Sequence, residues 1–225
     1  MPLAAPPARI ADFKQSLAQV ERARADRFRT AALQEHFIIA RGTLRAILGR
    51  CLNLPPADVP LDYGERGKPR IAGSHPLRFN LSHSGGWALY ALSLDREIGV
   101  DLEQIGSMPD CELIARRFFS APEIRDLLSL PPSQRNQAFY TCWTRKEAYI
   151  KACGEGLSLA LDHFRVSLLP SEPPLLDAPA DPRPWSLFDT SPEPGYAAAL
   201  VAEGTAPALR AWMFADAEDC TSYFR

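Results

Sequence analysis

The sequence predicts a mixed α+β protein, and three observations lead there. From Tyr140 to Cys153 the chain has neither glycine nor proline and then meets Gly154 and Gly156, which is how a helix runs and stops. Leu77–Leu81 and Ile98–Ile105 alternate apolar and polar residues, and Trp87–Leu94 returns as an apolar run, all between turn residues as strands do. The 21 prolines spread over 225 residues imply long, stiff connections between such elements.

The totals set bounds. A chain of this length holds one large domain or two small ones. Hydrophobic residues are 46% and charged residues 23%, a globular composition. A net charge of -2 gives no case for nonspecific binding to nucleic acid or acidic lipid, so local basic clusters must carry any affinity for anions. The five cysteines (Cys51, Cys111, Cys142, Cys153, Cys220) are odd in number and form no C-x-x-C pair, which suits reduced thiols. No signal peptide or membrane-length apolar run is read, so a soluble, cytoplasmic protein is expected.

Taken in order, residues 1–12 read as a loose lead-in, followed by a short helix from Phe13 to about Val20. ERARADRFRT then places Arg22, Arg24, Arg27 and Arg29 together, either as a solvated face or as a phosphate clamp. A helix from about Thr30 to Leu48 carries Leu33, Phe37, Leu44, Ile47 and Leu48 on its apolar face, closed by Gly49 and Pro55-Pro56. Gly64, Gly67 and Pro69 make a turn that presents Lys68. The strand at Leu77–Leu81 enters Ser82-His83-Ser84-Gly85-Gly86, read as a tight turn whose N–H and hydroxyl groups suit an anion. Helices are expected from Cys111 to Arg117 and, after a capping box at Ser120–Glu123 with Pro122 in its first turn, to about Leu130. Beyond Gly156, the segment 170–194 is a proline-rich excursion with a short strand near Trp185–Phe188, and strands at Tyr196–Ala202 and Leu209–Phe214 finish the chain.

Two clusters carry possible chemistry. On the helix, Trp143, Glu147 and Lys151 recur every four residues along one stripe, with Lys146 beside them. An exposed helix with a Glu–Lys pair gives the same pattern. On the strand, Asp101 and Glu103 share one face with Cα atoms about 6.6 Å apart. Two anions without a basic partner call for a bound cation, or are the polar face of an edge strand.

Read together, GKP…FNLSHSGG, GVDLE and FFSAPE…WTRKEAYIKACGEGLSL resemble the 4′-phosphopantetheinyl transferases, specifically the longer, monomeric, surfactin-synthetase-activating type, over about Arg22 to Leu159. The resemblance implies two similar α+β lobes related by a pseudo-twofold axis, here residues 1–105 and 106–225, with coenzyme A in the interlobe cleft. It implies transfer of the phosphopantetheine arm of coenzyme A to a serine of an apo acyl or peptidyl carrier protein, releasing adenosine 3′,5′-bisphosphate. By the same resemblance Asp101, Glu103 and Glu147 are magnesium ligands, and Glu147 takes the serine proton. Lys151 stabilises the leaving phosphate, and Lys146 partners the pyrophosphate. Ser82, His83, Lys68 and Arg24 hold the nucleotide, with His83 on the 3′-phosphate.

There are departures. His36 and Glu21 fall where relatives commonly carry basic residues, which puts coenzyme A affinity in doubt unless Arg22 or Arg41 takes over. A non-catalytic coenzyme A-binding member of the family is the alternative reading. A metal-dependent phosphohydrolase explains the three acids but leaves the SHSGG and GKP segments without a role.

Overall fold

Pro7 sits in the first turn of a helix, where a missing N–H costs nothing, and starts α1 (Pro7–Ser16). α2 (Gln19–Ala25) and α3 (Ala31–Leu52) follow. The computed structural model describes residues 1–64, 67–154, 156–169 and 172–212. Its residues cluster in two units, the first holding Met1–Leu61 with Gly86–Ala88 and the second Asp62–Gly85 with Leu89–Leu209.

In the first unit Thr30 caps α3 by accepting from Leu33 N at 3.3 Å. α1 packs on α3 where Gly42 leaves room: a Cβ there would lie 2.5 Å from the Phe13 side chain. The helix runs through Gly49, the residue expected to close it, because the chain doubles back so tightly that a Cβ would lie 2.6 Å from Leu54 O. It stops instead at Asn53, in the left-handed conformation at φ 55. Leu33, expected on the apolar face, is 51% exposed, whereas Phe37, Leu44, Ile47 and Leu48 are buried. The first residues are no loose lead-in: Met1 and Leu3 are buried and their backbone bonds to Ala88 and Gly86. The first helix correspondingly lies earlier than Phe13–Val20.

The second unit opens with β1 (Leu61–Tyr63) paired to β2 (Pro69–Ile71). β3 (Leu77–Ser84) and β4 (Trp87–Leu94) form a hairpin. Its two-residue turn is Gly85-Gly86, with φ of 54 and 85, the positive values that such turns require. Ser82, His83 and Ser84, expected in the turn, are therefore strand residues.

β5 (Ile98–Gln104) is followed by α4 (Cys111–Phe118), α5 (Ala121–Ser129) and α6 (Pro132–Cys153). β6 (Arg165–Val166) and β7 (Leu176–Asp177) pair with each other, while β8 (Trp185–Asp189) and β9 (Tyr196–Glu203) join β5 in an antiparallel sheet of order β5-β9-β8. The mixed α+β expectation holds. No strand covers residues 209–212, and positions 213–214 of the expected last strand lie outside the described residues.

α6 lies across β5 and β9, and small residues let it approach. β9 offers Ala197 and Ala199 to the core that α6 completes. At Gly99 of β5 a Cβ would stand 2.1 Å from Ala148 O and 2.3 Å from Ala152 N, so backbone meets backbone. This contact delivers Glu147 and Lys151 to the strand that carries Asp101 and Glu103.

Among the described residues no helix is long and apolar enough to cross a membrane, and the four described cysteines are free thiols.

Candidate active site

The site is built from three elements of the second unit. β3 lays the alternate residues Asn80, Ser82 and Ser84 against β5. Asn80 Oδ1 accepts from Val100 N at 2.9 Å, Ser82 Oγ donates to Asp101 Oδ1 at 3.0 Å, and Ser84 Oγ donates to Glu103 Oε2 at 2.9 Å. Gln104 N in turn donates to Ser84 Oγ at 3.1 Å. Leu81 is only half-buried, while Asn80 and Ser82 are buried because their polar groups serve β5. Each acid of β5 is thus held from β3, and that fixes which way it points.

From α6 comes Lys151, whose Nζ donates to Asp101 Oδ1 at 2.6 Å and Ser82 Oγ at 3.2 Å. Asp101 is 4% exposed, and its second oxygen, Oδ2, has no hydrogen-bond partner. Glu147 lies half-buried one turn earlier on the helix. Burial pushes its carboxyl above the usual range, the Asp101 and Glu103 charges push it further, and Lys151 opposes them. Glu103 is raised as well, first by burial and then by Asp101, with the Ser84 hydroxyl working against both. Both Glu103 and Glu147 thus feel the Asp101 charge, with Lys151 acting against it.

This donor set fits a hard divalent ion: carboxylates on two elements, one of them a buried oxygen without a partner. Among the described residues no three such side chains are gathered as a finished metal cluster; the cation in contact with Asp101 is the Lys151 ammonium. A cavity of about 260 Å³ opens beside them, lined by Lys68, Pro69, Asn80, Leu81, Glu147 and Lys151 among others. A larger cavity of about 540 Å³ adjoins Lys68 on the side of Glu97, Cys153 and Arg183, away from the three acids.

Lys146 is not part of the site. Successive helix residues are turned by about 100°, and that turn carries Lys146 from the stripe of Glu147 into the core. Its Nζ lies 2.8 Å from Glu123 Oε1 and donates to Leu161 O and Phe164 O at 2.7 and 2.8 Å, with no exposed surface. All three ammonium protons are engaged, so the expected contact with pyrophosphate is replaced by a structural one. Glu123 also accepts from Ser120 N, Ser120 Oγ and Val166 N, closing the capping box of α5 and binding β6. Trp143 packs against Phe139 and Phe118, as a structural aromatic does.

The nucleotide residues divide. Lys68 lines the cavity, but its Nζ also faces Glu97 Oε2, Ile98 O and Ala152 O at 3.3–3.4 Å, joining the end of α6 to the start of β5. Burial lowers its pKa, against the pull of Glu97. His83 is exposed on β3 between Ser82 and Ser84. Arg24 is exposed on α2 of the first unit, its guanidinium 5.3 Å from the Phe37 ring centroid. Glu21, the residue out of pattern, is buried in that unit with Arg45 Nε 2.6 Å and Arg41 Nε 3.5 Å away. Arg41 is thereby ion-paired through Nε, with Nη1 left without a hydrogen-bond partner, and Arg22 donates to Leu17 O at 2.7 Å through Nη1.

Sequence reading gave Asn80 and Gly99 no part in the site, read Ser84 as part of an anion-binding turn and read Glu123 only as a capping residue. The period of two along Asn80-Leu81-Ser82-His83-Ser84 was the available signal for Asn80 and Ser84.

Comparison with known proteins identifies the family. Residues 97–201 match the 4′-phosphopantetheinyl transferase superfamily model, and residues 6–94 match the model of the 4′-phosphopantetheinyl transferase N-terminal region. The chain is 41% identical to the 4′-phosphopantetheinyl transferase HetI of Nostoc sp. over 209 residues, 91% of this chain and 86% of that protein. It is 33% identical to the 4′-phosphopantetheinyl transferase psf-1 of Bacillus pumilus over 191 residues, 85% of this chain and 81% of the other. A holo-(acyl-carrier-protein) synthase structure from Bacillus anthracis shows a weak likeness, 20% identity and a TM-score of 0.42 over 48% of this chain and 94% of that one. Over nearly its whole described length, with both family models in their proper order, the chain belongs to the 4′-phosphopantetheinyl transferases.

Proposed function

We propose that the chain moves the 4′-phosphopantetheine group from coenzyme A to a serine of an apo acyl or peptidyl carrier protein, with Mg²⁺ held by Asp101, Glu103 and Glu147. The observation that carries this reading is the buried, unpartnered Oδ2 of Asp101 on a strand facing Glu147 and Lys151. The ion, when bound, would offset charge on the diphosphate being cleaved.

The chain's own groups do the rest. Glu147 is suited to take the proton of the serine hydroxyl as Oγ bonds to the phosphorus that carries pantetheine. The bond from that phosphorus to the bridging oxygen breaks, and adenosine 3′,5′-bisphosphate leaves. Lys151 offers its ammonium to the negative charge on that leaving group. Ser82 and Ser84 hold Asp101 and Glu103 in place. Lys68 stands in the cavity wall, and His83 is assigned to the phosphates of the nucleotide. Lys146 has no part in the chemistry.

The test is to weigh an apo carrier protein after incubation with this protein, coenzyme A and Mg²⁺. Native protein adds the phosphopantetheine mass. Glu147→Gln lowers the rate by about 10²–10⁴-fold, the usual worth of a general base, while leaving the fold and coenzyme A binding intact. Near-normal turnover by that variant would remove the assigned role. No mass gain with any of several carriers would favour a coenzyme A-binding module.

A further inference from the structure

We propose that Lys151 is a resident competitor for the metal: its ammonium holds the Asp101 carboxylate until a phosphate group draws it away. The inference rests on the magnesium reading above and concerns the order in which the site is filled.

Three observations carry it. Lys151 Nζ is 2.6 Å from Asp101 Oδ1, a close charge-assisted contact. The partners are unequal: the aspartate side chain is 6% exposed and the lysine 30%. Asp101 cannot follow the pair into water, whereas the lysine stem can swing toward the adjoining cavity, which Lys151 itself lines. Finally, the ammonium neutralises only part of the charge. Asp101 Oδ2 stays without a hydrogen-bond partner. A divalent ion neutralises more, but bound at the free Oδ2 it would stand close to the ammonium on Oδ1, and two cations so near repel each other, so each weakens the other's hold on Asp101.

A diphosphate resolves the conflict. Its oxygens give Lys151 a new anionic partner and release Asp101 to the metal. Metal and coenzyme A then strengthen each other's binding, and by linkage the two gains are equal. The device keeps the acids quiet in the empty protein without making a strong metal site that must be stripped before turnover. The same lysine then stands beside the leaving phosphate.

Mn²⁺, followed by electron paramagnetic resonance, serves as the probe, with no turnover involved. Titrated into coenzyme A-free protein, it is expected to bind Lys151→Met at least tenfold more tightly than native protein. Adding coenzyme A should tighten Mn²⁺ binding to native protein and tighten it much less in the variant. Lys151→Gln, which keeps a polar group there, repeats the measurement should the methionine variant fail to fold. Equal or weaker Mn²⁺ binding by folded variants would overturn the competition while leaving the metal site standing. Failure of Mn²⁺ to bind any of these proteins, with or without coenzyme A, would instead remove the magnesium reading and the competition with it.

Discussion

Lys146 Nζ lies 2.8 Å from Glu123 Oε1, and neither side chain has any exposed surface. The pair ties the helix that carries Glu147 to α5, and through Val166 N to β6. It is flanked by the Phe119 and Phe164 rings, with Nζ 5.9 and 4.3 Å from their centroids. Removing one partner from such a pair leaves an uncompensated buried charge, which costs about 3–5 kcal/mol. Lys146→Met is therefore expected to lower the urea midpoint strongly and to lose transfer only in proportion to the unfolded fraction. Lost transfer in a variant of native stability would return Lys146 to the phosphate role.

Gly99→Ala tests the close approach of α6 to β5. The added methyl meets backbone atoms at 2.1 and 2.3 Å, which no side-chain rotation relieves. Overpacking of a well-filled core costs about 1–3 kcal/mol, and this case belongs at the upper end. Thermal denaturation should show the loss. On the proposed magnesium site, what transfer survives should need more metal, because the helix and strand that would share the ion are pushed apart.

Asp181 offers a prediction in pH. Its carboxylate accepts from Arg183 Nε, Nη2 and N, from Trp185 Nε1 and from Tyr149 Oη, and it is held well below the usual carboxylate range, first by Arg183. A folded-state pKa below the unfolded value adds stability that is present above the unfolded pKa and lost as pH falls through the folded one. Asp181→Asn should cost about 1.5–3 kcal/mol at neutral pH, the worth of hydrogen bonds to a charged group, and toward the lower end because the Arg183 side chain is partly exposed. The gap from native protein should close progressively below about pH 4, as seen in melts from pH 7 to pH 2. A gap that stays constant across that range would show that shape, not charge, is what Asp181 supplies.

Ser84→Ala removes the hydroxyl that orients Glu103. Partners that orient a metal ligand are typically worth about 10–100-fold in metal affinity. The variant should need that much more Mg²⁺ for half-maximal transfer and reach a near-native rate at saturation. Chelation of native protein should bring transfer to background, and added Mg²⁺ should restore it. An unchanged metal requirement in Ser84→Ala would mean that Glu103 is oriented without it.

Much of this protein was legible in the chain itself. The glycine stop after Cys153 and the four-residue spacing of Trp143, Glu147 and Lys151 follow from local helix geometry, which any stretch of sequence displays. The period of two through Ile98–Gln104 likewise put Asp101 and Glu103 on one face of a strand. What local pattern cannot carry is the choice among neighbours. Lys146 and Lys151 are the same residue type on the same helix. Only the packing of Phe119, Phe164 and Glu123 around one, and the approach of β5 to the other, makes the first a core tie and the second a ligand of Asp101. The roles of Ser82 and Ser84 were hidden for the same reason, since their hydroxyls find partners on a strand that enters the chain after the hairpin has turned. Spacing along the chain settles which residues share a face; desolvation and contact between distant segments settle which of those faces becomes chemistry.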